Sequence, residues 1–134
     1  MSNDFILDSS IAADLVLFAS TRQRFLEEVI AGGVCDVHAP VHIDVEVVAV
    51  IRKYLLLNRI SETEAMAMVS AHLTTPMTRY EPGFLLNRVL ALRDNFSAYD
   101  ACYVALTEAI DGTLVTRDAP LARAASRHCD VVLM

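Results

Sequence analysis

Apolar residues along this chain fall into short runs that alternate with longer stretches of helical spacing. Phe5-Ile6-Leu7 is a compact apolar run ending at Asp8, the pattern of a buried strand. Ser9–Ala19 predicts a helix, and Thr21–Ala31 a second one stopped by Gly32-Gly33. Val34–His38 predicts a second strand, ended by Pro40. Ser61 and Glu64 have the spacing of a capping box, opening a helix that runs to about Leu73. Met77–Tyr80 is a candidate strand and Gly83–Arg93 a helix. Ser97 caps a helix over Ala98–Ile110, closed by Asp111-Gly112. Thr113–Thr116 is a strand, Ala119–Arg127 a helix, and Val131–Leu133 a last strand. Strands that alternate with helices predict an α/β fold with a mainly parallel sheet covered on both faces.

One segment is ambiguous. Val41-His42-Ile43-Asp44-Val45-Glu46-Val47 alternates like a strand, and as a strand it would put His42, Asp44 and Glu46 on one face. The apolar run continues to Leu57, too long for an ordinary strand, and Arg52-Lys53 suit the later turns of a helix. A helix is favoured despite the β-branched content. On it, Asp44 and Glu46 point about 200° apart, so only one can face a given pocket.

Composition narrows the classes. The 134 residues fit one domain, 1–134, with no repeat or linker, and 54% hydrophobic residues can build a sizeable core. No stretch is long and apolar enough to span a bilayer, and the M-S-N-D-F start lacks a signal peptide's basic residues, so a cytoplasmic protein without membrane association is expected. Cys35, Cys102 and Cys129 are scattered and odd in number, as for reduced thiols rather than disulfides. The net charge of −6 argues against holding nucleic acid through bulk electrostatics. The basic residues are arginines except Lys53, and arginine can still fork a phosphate locally, with Arg123 and Arg127 sharing a helix face.

Four acids stand out: Asp8, Glu46, Asp100 and Asp118. Three lie at element junctions or in a first helical turn, which in an open α/β fold line the crevice at the carboxyl ends of the strands. Converging carboxylates repel unless a cation neutralises them, and an all-oxygen cluster suits Mg²⁺ or Mn²⁺. Each also has a structural explanation. Asp8 and Asp118 can cap the helices that follow them, and Asp100 can complete a cap with Ser97. Glu46 is harder to explain that way, being a carboxylate in a strongly apolar helix, and Asp44 is its rival.

These residues resemble a known family. Asp8-Ser9-Ser10 after the first strand, Glu46 to Lys53 in the mid-chain helix, S-A-Y-D-A-C-Y-V-A-L from Ser97 to Leu106, and L-V-T-R-D-A-P-L from Leu114 to Leu121 together resemble a PIN-domain protein of the VapC type, the toxin half of a VapBC toxin–antitoxin pair. The resemblance spans essentially the whole chain. It implies a single three-layer α/β/α sandwich and a Mg²⁺- or Mn²⁺-dependent endoribonuclease. Carried over, Asp8, Glu46, Asp100 and Asp118 form the catalytic and metal-binding quartet. Thr116 is a hydroxyl that helps hold the site, Ser10 a lesser polar neighbour, and Arg117 a candidate phosphate contact. The resemblance also implies an RNA substrate, a homodimer and a VapB-like antitoxin. Asp94, just before the third block, adds an acid without an assigned role.

Other classes stay in view. A haloacid-dehalogenase-type phosphatase would want an acid where Ser10 stands, and a receiver domain a lysine far from Lys53. A PIN nuclease of RNA processing that is not a toxin, and a catalytically silent PIN-fold binding module, remain alternatives. Val29-Ile30 and Met66-Ala67-Met68-Val69 are candidate apolar surface for a dimer seam or an antitoxin helix, or else ordinary core.

Overall fold

The computed structural model describes residues 3–30, 33 and 35–134. Among these residues five strands, β1 (Asp4–Leu7), β2 (Asp36–Pro40), β3 (Thr78–Tyr80), β4 (Thr113–Thr116) and β5 (Asp130–Leu133), form one sheet in the order β3-β2-β1-β4-β5. Every pairing is parallel. Among the described residues, seven α-helices connect them: α1 (Ser9–Leu17), α2 (Ala19–Phe25), α3 (Ile43–Leu56), α4 (Glu62–Thr74), α5 (Leu86–Ala91), α6 (Ala98–Ile110) and α7 (Ala119–Ala125). Right-handed crossovers assign α1–α4 to one face and α5–α7 to the other. Packing agrees, with α1 against α3 and α4, and α6 against α5 and the central strands. The fold is the α/β/α sandwich expected from the sequence.

The ambiguous segment is a helix. Ile43, Val47 and Ile51 are buried at four-residue spacing while Val45 between them is 72% exposed, the one-sided stripe of a helix; a strand would have put Val45 on the same face as the other three. The core centres on the inner strands and α6: Ile6, Leu7, Leu114, Val115, Val104 and Leu106 are all fully buried.

Several boundaries differ from expectation. The second helix is α2 followed by a π-helical turn over Leu26–Ile30, and its expected end, Ala31-Gly32, lies outside the described residues. Val34, the expected start of β2, lies outside them too. β2 runs on through Pro40, because its pairing with β1 ends at His38 and the proline then faces only β3. The expected helix Gly83–Arg93 divides into a 3₁₀ turn, Pro82–Leu85, and the short α5. α7 stops at Ala125, two residues short of Arg127.

Candidate active site

The sheet order reverses between β1 and β4. From β1 the chain moves outward to β2 and β3, then returns to β4 on the other side. The crevice beyond the carboxyl ends of these two strands is where open parallel sheets place ligands. Asp8 leaves β1 there, and Thr116, Arg117 and Asp118 leave β4.

Asp8 is almost enclosed, 4% exposed, and heavily held. Its Oδ1 accepts from Ser10 Oγ at 2.6 Å and from Ile11 N at 3.1 Å, the second bond capping α1. Its Oδ2 accepts a short hydrogen bond from Thr116 Oγ1. Thr116 Oγ1 in turn accepts from Asp118 N at 3.0 Å, and Ser10 Oγ accepts from Arg117 N at 3.0 Å. Ser10 and Thr116 hydroxyls lie 3.2 Å apart. The two hydroxyls therefore tie the β1 exit to the β4 exit through the Asp8 carboxylate. A carboxylate has about four acceptor sites, and Asp8 leaves one open, on Oδ2.

Asp118 caps α7 through Leu121 N, 3.0 Å from its Oδ1. Asp100 lies in the first turn of α6, its backbone N–H donating to Ser97 Oγ at 3.1 Å. Asp100 and Asp118 share a small cleft of about 160 Å³ with Ser97, Asn95 and Pro120. Glu46 approaches from the first turn of α3. Its Oε1 accepts from the Tyr103 hydroxyl at 2.7 Å and lies 3.2 Å from His42 Nε2. That contact has ion-pair distance without hydrogen-bond geometry, so the His42 nitrogen is buried without a hydrogen-bond partner.

The electrostatics separate the acids. Burial pushes the Asp8 carboxyl above its ordinary value; the bonds from Ser10, Thr116 and Ile11 oppose this incompletely, and the Asp100 charge adds to it. Asp100 is also raised, by burial first and then by Asp118 and Glu46. Burial pushes Glu46 up as well, but His42 and Tyr103, with a smaller part from Ser9, outweigh it and leave the carboxyl below its ordinary value. Burial and the neighbouring Glu46 drive the Tyr103 phenol far upward, so it serves Glu46 as a permanent donor.

The structure thus brings Asp8, Ser10, Thr116 and Asp118 into one bonded network, and couples Asp100 to Asp8, Asp118 and Glu46 through their charges. Among the described residues, no three His, Cys, Asp or Glu side chains close into a preformed ion cage. Arg117 points its guanidinium at Asp14 Oδ2, 2.8 Å away, and donates to Thr21 Oγ1 at 2.9 Å. Asp44 turns away from Glu46 and binds Arg79, at 2.9 Å, and the buried His72, at 2.6 Å. Asp94 is exposed. The three cysteines are free thiols. A larger apolar cavity of about 920 Å³, bordered by Phe25, Leu26, Ile30 and Met77, contains none of the four acids. Val29 is buried, while Met66 is 66% exposed.

The sequence reading missed Tyr103, and it weighed His42 only on the strand that this segment does not form. Both were visible as helical neighbours: His42 lies one turn before Glu46, and Tyr103 one turn after Asp100.

A model of the PIN domain family matches residues 5–126. Ribonuclease VapC12 of Mycobacterium tuberculosis is 32% identical over 133 residues, covering 96% of this chain and 98% of its own length. Ribonuclease VapC1 of the same species is 36% identical over 99 residues, covering 72% of this chain and 74% of its own. The crystal structure of PAE2754 from Pyrobaculum aerophilum superposes with a TM-score of 0.70 over 98% of this chain and 92% of that one, at 21% identity, a likeness of fold. The chain belongs to the PIN domain family, and within it to the VapC type. No helix among the described residues is long and apolar enough to cross a membrane.

Proposed function

We propose that this protein is a divalent-cation-dependent endoribonuclease, the toxin of a type II toxin–antitoxin pair. The observation that carries this reading is the charge coupling of Asp100 to Asp8, Asp118 and Glu46 beside the β1/β4 crevice, with burial holding Asp8 and Asp100 above their ordinary carboxylate range. Similarity to proteins named Ribonuclease VapC supplies the substrate class. We further infer a homodimer in the cytoplasm, silenced by a VapB-like antitoxin.

The donor set fits Mg²⁺ or Mn²⁺. The donors are all oxygen, two of the carboxylates are destabilised as anions, and Mg²⁺ needs only one or two direct carboxylates because it keeps several waters. Asp8, through its open Oδ2 position, and Asp100 would hold the ion, with Asp118 and Glu46 completing the cluster directly or through water. Bound there, it supplies charge neutralisation and a nucleophilic water at neutral pH.

The chain's own groups do the rest. Ser10 and Thr116 fix the Asp8 carboxylate, so its open lone pair has a set direction. Glu46, kept ionised, is suited to orient a water by accepting a hydrogen bond from it at Oε2, since Oε1 is taken by Tyr103. Arg117 reaches phosphate only by leaving Asp14, a weaker assignment than the acids.

The test is cleavage of total cellular RNA by purified protein with Mg²⁺, with Mn²⁺ and with EDTA, alongside Asp100→Asn. Discrete fragments that need the metal and vanish in the variant are expected. Absence of cleavage by the wild-type protein with either metal, on intact total RNA from cells in which the protein is not active, refutes the reading.

A further inference from the structure

An exposed aromatic stands directly before Asp100. Tyr99, in the first turn of α6, is 64% exposed. It contributes little to the core, yet its ring is held in place. The His42 ring meets it edge-on, with centroids 5.7 Å apart, and His42 meets Tyr103 in the same way at 5.0 Å. Tyr103 is fully buried and ends on Glu46. A continuous series of rings therefore runs from solvent to one of the four acids, and its outermost member is a braced π surface.

Charge gives this surface a task. The chain carries a net −6, so outside the cation that would neutralise the four acids, bulk electrostatics offers RNA phosphates little attraction. The arginine next to the site is already bound to Asp14. Beyond the cation, base contact is the source of affinity that such a surface leaves open. Unpaired bases are recognised chiefly by stacking on aromatic side chains, and every base offers a π face.

We propose that Tyr99 is a stacking platform for an unpaired nucleobase adjacent to the phosphate that is cut, with His42 holding the platform at its angle. The proposal rests on the ribonuclease reading and deepens it: the substrate is single-stranded at the cleavage point, and base contact rather than phosphate attraction sets its affinity.

The chain contains no tryptophan, so Tyr99→Trp installs the sole indole. Placed in the Asp100→Asn background, it is titrated with mixed-sequence single-stranded oligoribonucleotides and with the same sequences as duplexes. Saturable quenching by single strands and weak quenching by duplexes are expected. In the same background, Tyr99→Leu should weaken single-strand binding by at least about fivefold, the low end of one lost stack, and Tyr99→Phe should restore it. With Asp100 intact, Tyr99→Leu should raise KM more than it lowers kcat. Tyr99→Leu binding as tightly as Tyr99, with no quenching of the indole, overturns the platform while wild-type cleavage keeps the ribonuclease reading. A protein that neither binds nor cleaves RNA with Tyr99 in place overturns both. A shift of Tyr99→Leu toward monomer in sedimentation, with RNA affinity unchanged, assigns the ring to contact with a second copy and also overturns the platform.

Discussion

Replacing Asp8 by asparagine and by alanine separates its work in the fold from its work in the site. Asparagine keeps the Oδ1 that accepts from Ser10 and Ile11, and it caps helices as well as aspartate does. It places an amide N–H₂ where Oδ2 received the Thr116 hydroxyl, but that hydroxyl can turn toward Ser10 Oγ, 3.2 Å away. It also removes an anion that burial holds above its ordinary value. Stability should therefore stay within about 1 kcal/mol of wild type. Alanine removes the cap, at about 1 kcal/mol, and leaves the buried Thr116 hydroxyl short of its acceptor, at about 1–3 kcal/mol. Ser10 and the loss of the anion offset part of this, for a net cost of about 2–3 kcal/mol. In a domain of this size that lowers Tm by about 6–15 °C.

Cleavage should respond differently. Both substitutions delete the open carboxylate position, so both should reduce metal-dependent cleavage by at least about 100-fold. Thermal melts without metal and single-turnover cleavage with Mn²⁺ measure the two effects. Asp8→Asn that melts like wild type and cleaves at the wild-type rate would refute the site role. Asp8→Ala with an unchanged Tm would refute the cap.

Four further outcomes follow from the same geometry. Asp100 is raised by burial and then by Asp118 and Glu46, so the folded state binds its proton more tightly than the unfolded one and stability falls as pH climbs from the ordinary aspartate value through the raised one. Asp100→Asn should hence raise the metal-free Tm near neutrality but not in acid, and Mn²⁺ should erase its advantage; equal effects at both pH values would count against the repulsion. Asp44→Ala, which strips Arg79 and the 3%-exposed His72 of their partner, should cost about 1–3 kcal/mol in urea unfolding and leave cleavage per folded molecule unchanged, whereas lost cleavage would return Asp44 to the site. Gly112→Ala would set a Cβ 2.5 Å from Ile6 Cδ1 and 2.8 Å from Asp4 O, so its denaturation midpoint should fall by about 1–3 kcal/mol equivalent, and an unchanged midpoint would contradict the packing. RNA binding by Asp100→Asn should weaken with salt with a log–log slope no steeper than about −2, since each phosphate contact on a single strand contributes about −0.7; a much steeper slope would mean that basic residues dominate.

Much of this fold was legible because its signals are local. The buried run before Asp8, the Ser61–Glu64 capping box and the Ser97 cap each depend on residues within one turn. The stripe Ile43-Val47-Ile51 needed length as well as period, because the first seven residues of that segment alternate. What escaped was set by distant partners. Nothing near Arg117 foretells that Asp14, most of a chain away, takes its guanidinium. Nothing near Glu46 foretells the Tyr103 hydroxyl. β2 continues through Pro40 because β1 stops pairing with it first, a fact of register. In the site, the acids were readable through the family pattern; of the groups that lower Glu46, His42 sits one turn away in the sequence, whereas Tyr103 reaches it from another helix.

The structural and chemical explanations of the four acids reinforce each other. Asp8 and Asp118 cap α1 and α7, while Asp100 and Glu46 lie in the first turns of α6 and α3. Each acid is therefore near a helix N-terminus, where the backbone favours negative charge by about 0.3–1 kcal/mol. That field lets like charges approach, and for Asp8 and Asp118 the capping bond also fixes which oxygen remains outward. Yet the compensation is uneven. Glu46, with its phenol and imidazole, ends below its ordinary value; Asp8 and Asp100 end above theirs. Capping alone would have no use for two carboxylates left unfavourably ionised. The uncompensated part is concentrated on the pair facing the β1/β4 crevice, and it is what a divalent cation bound there would remove.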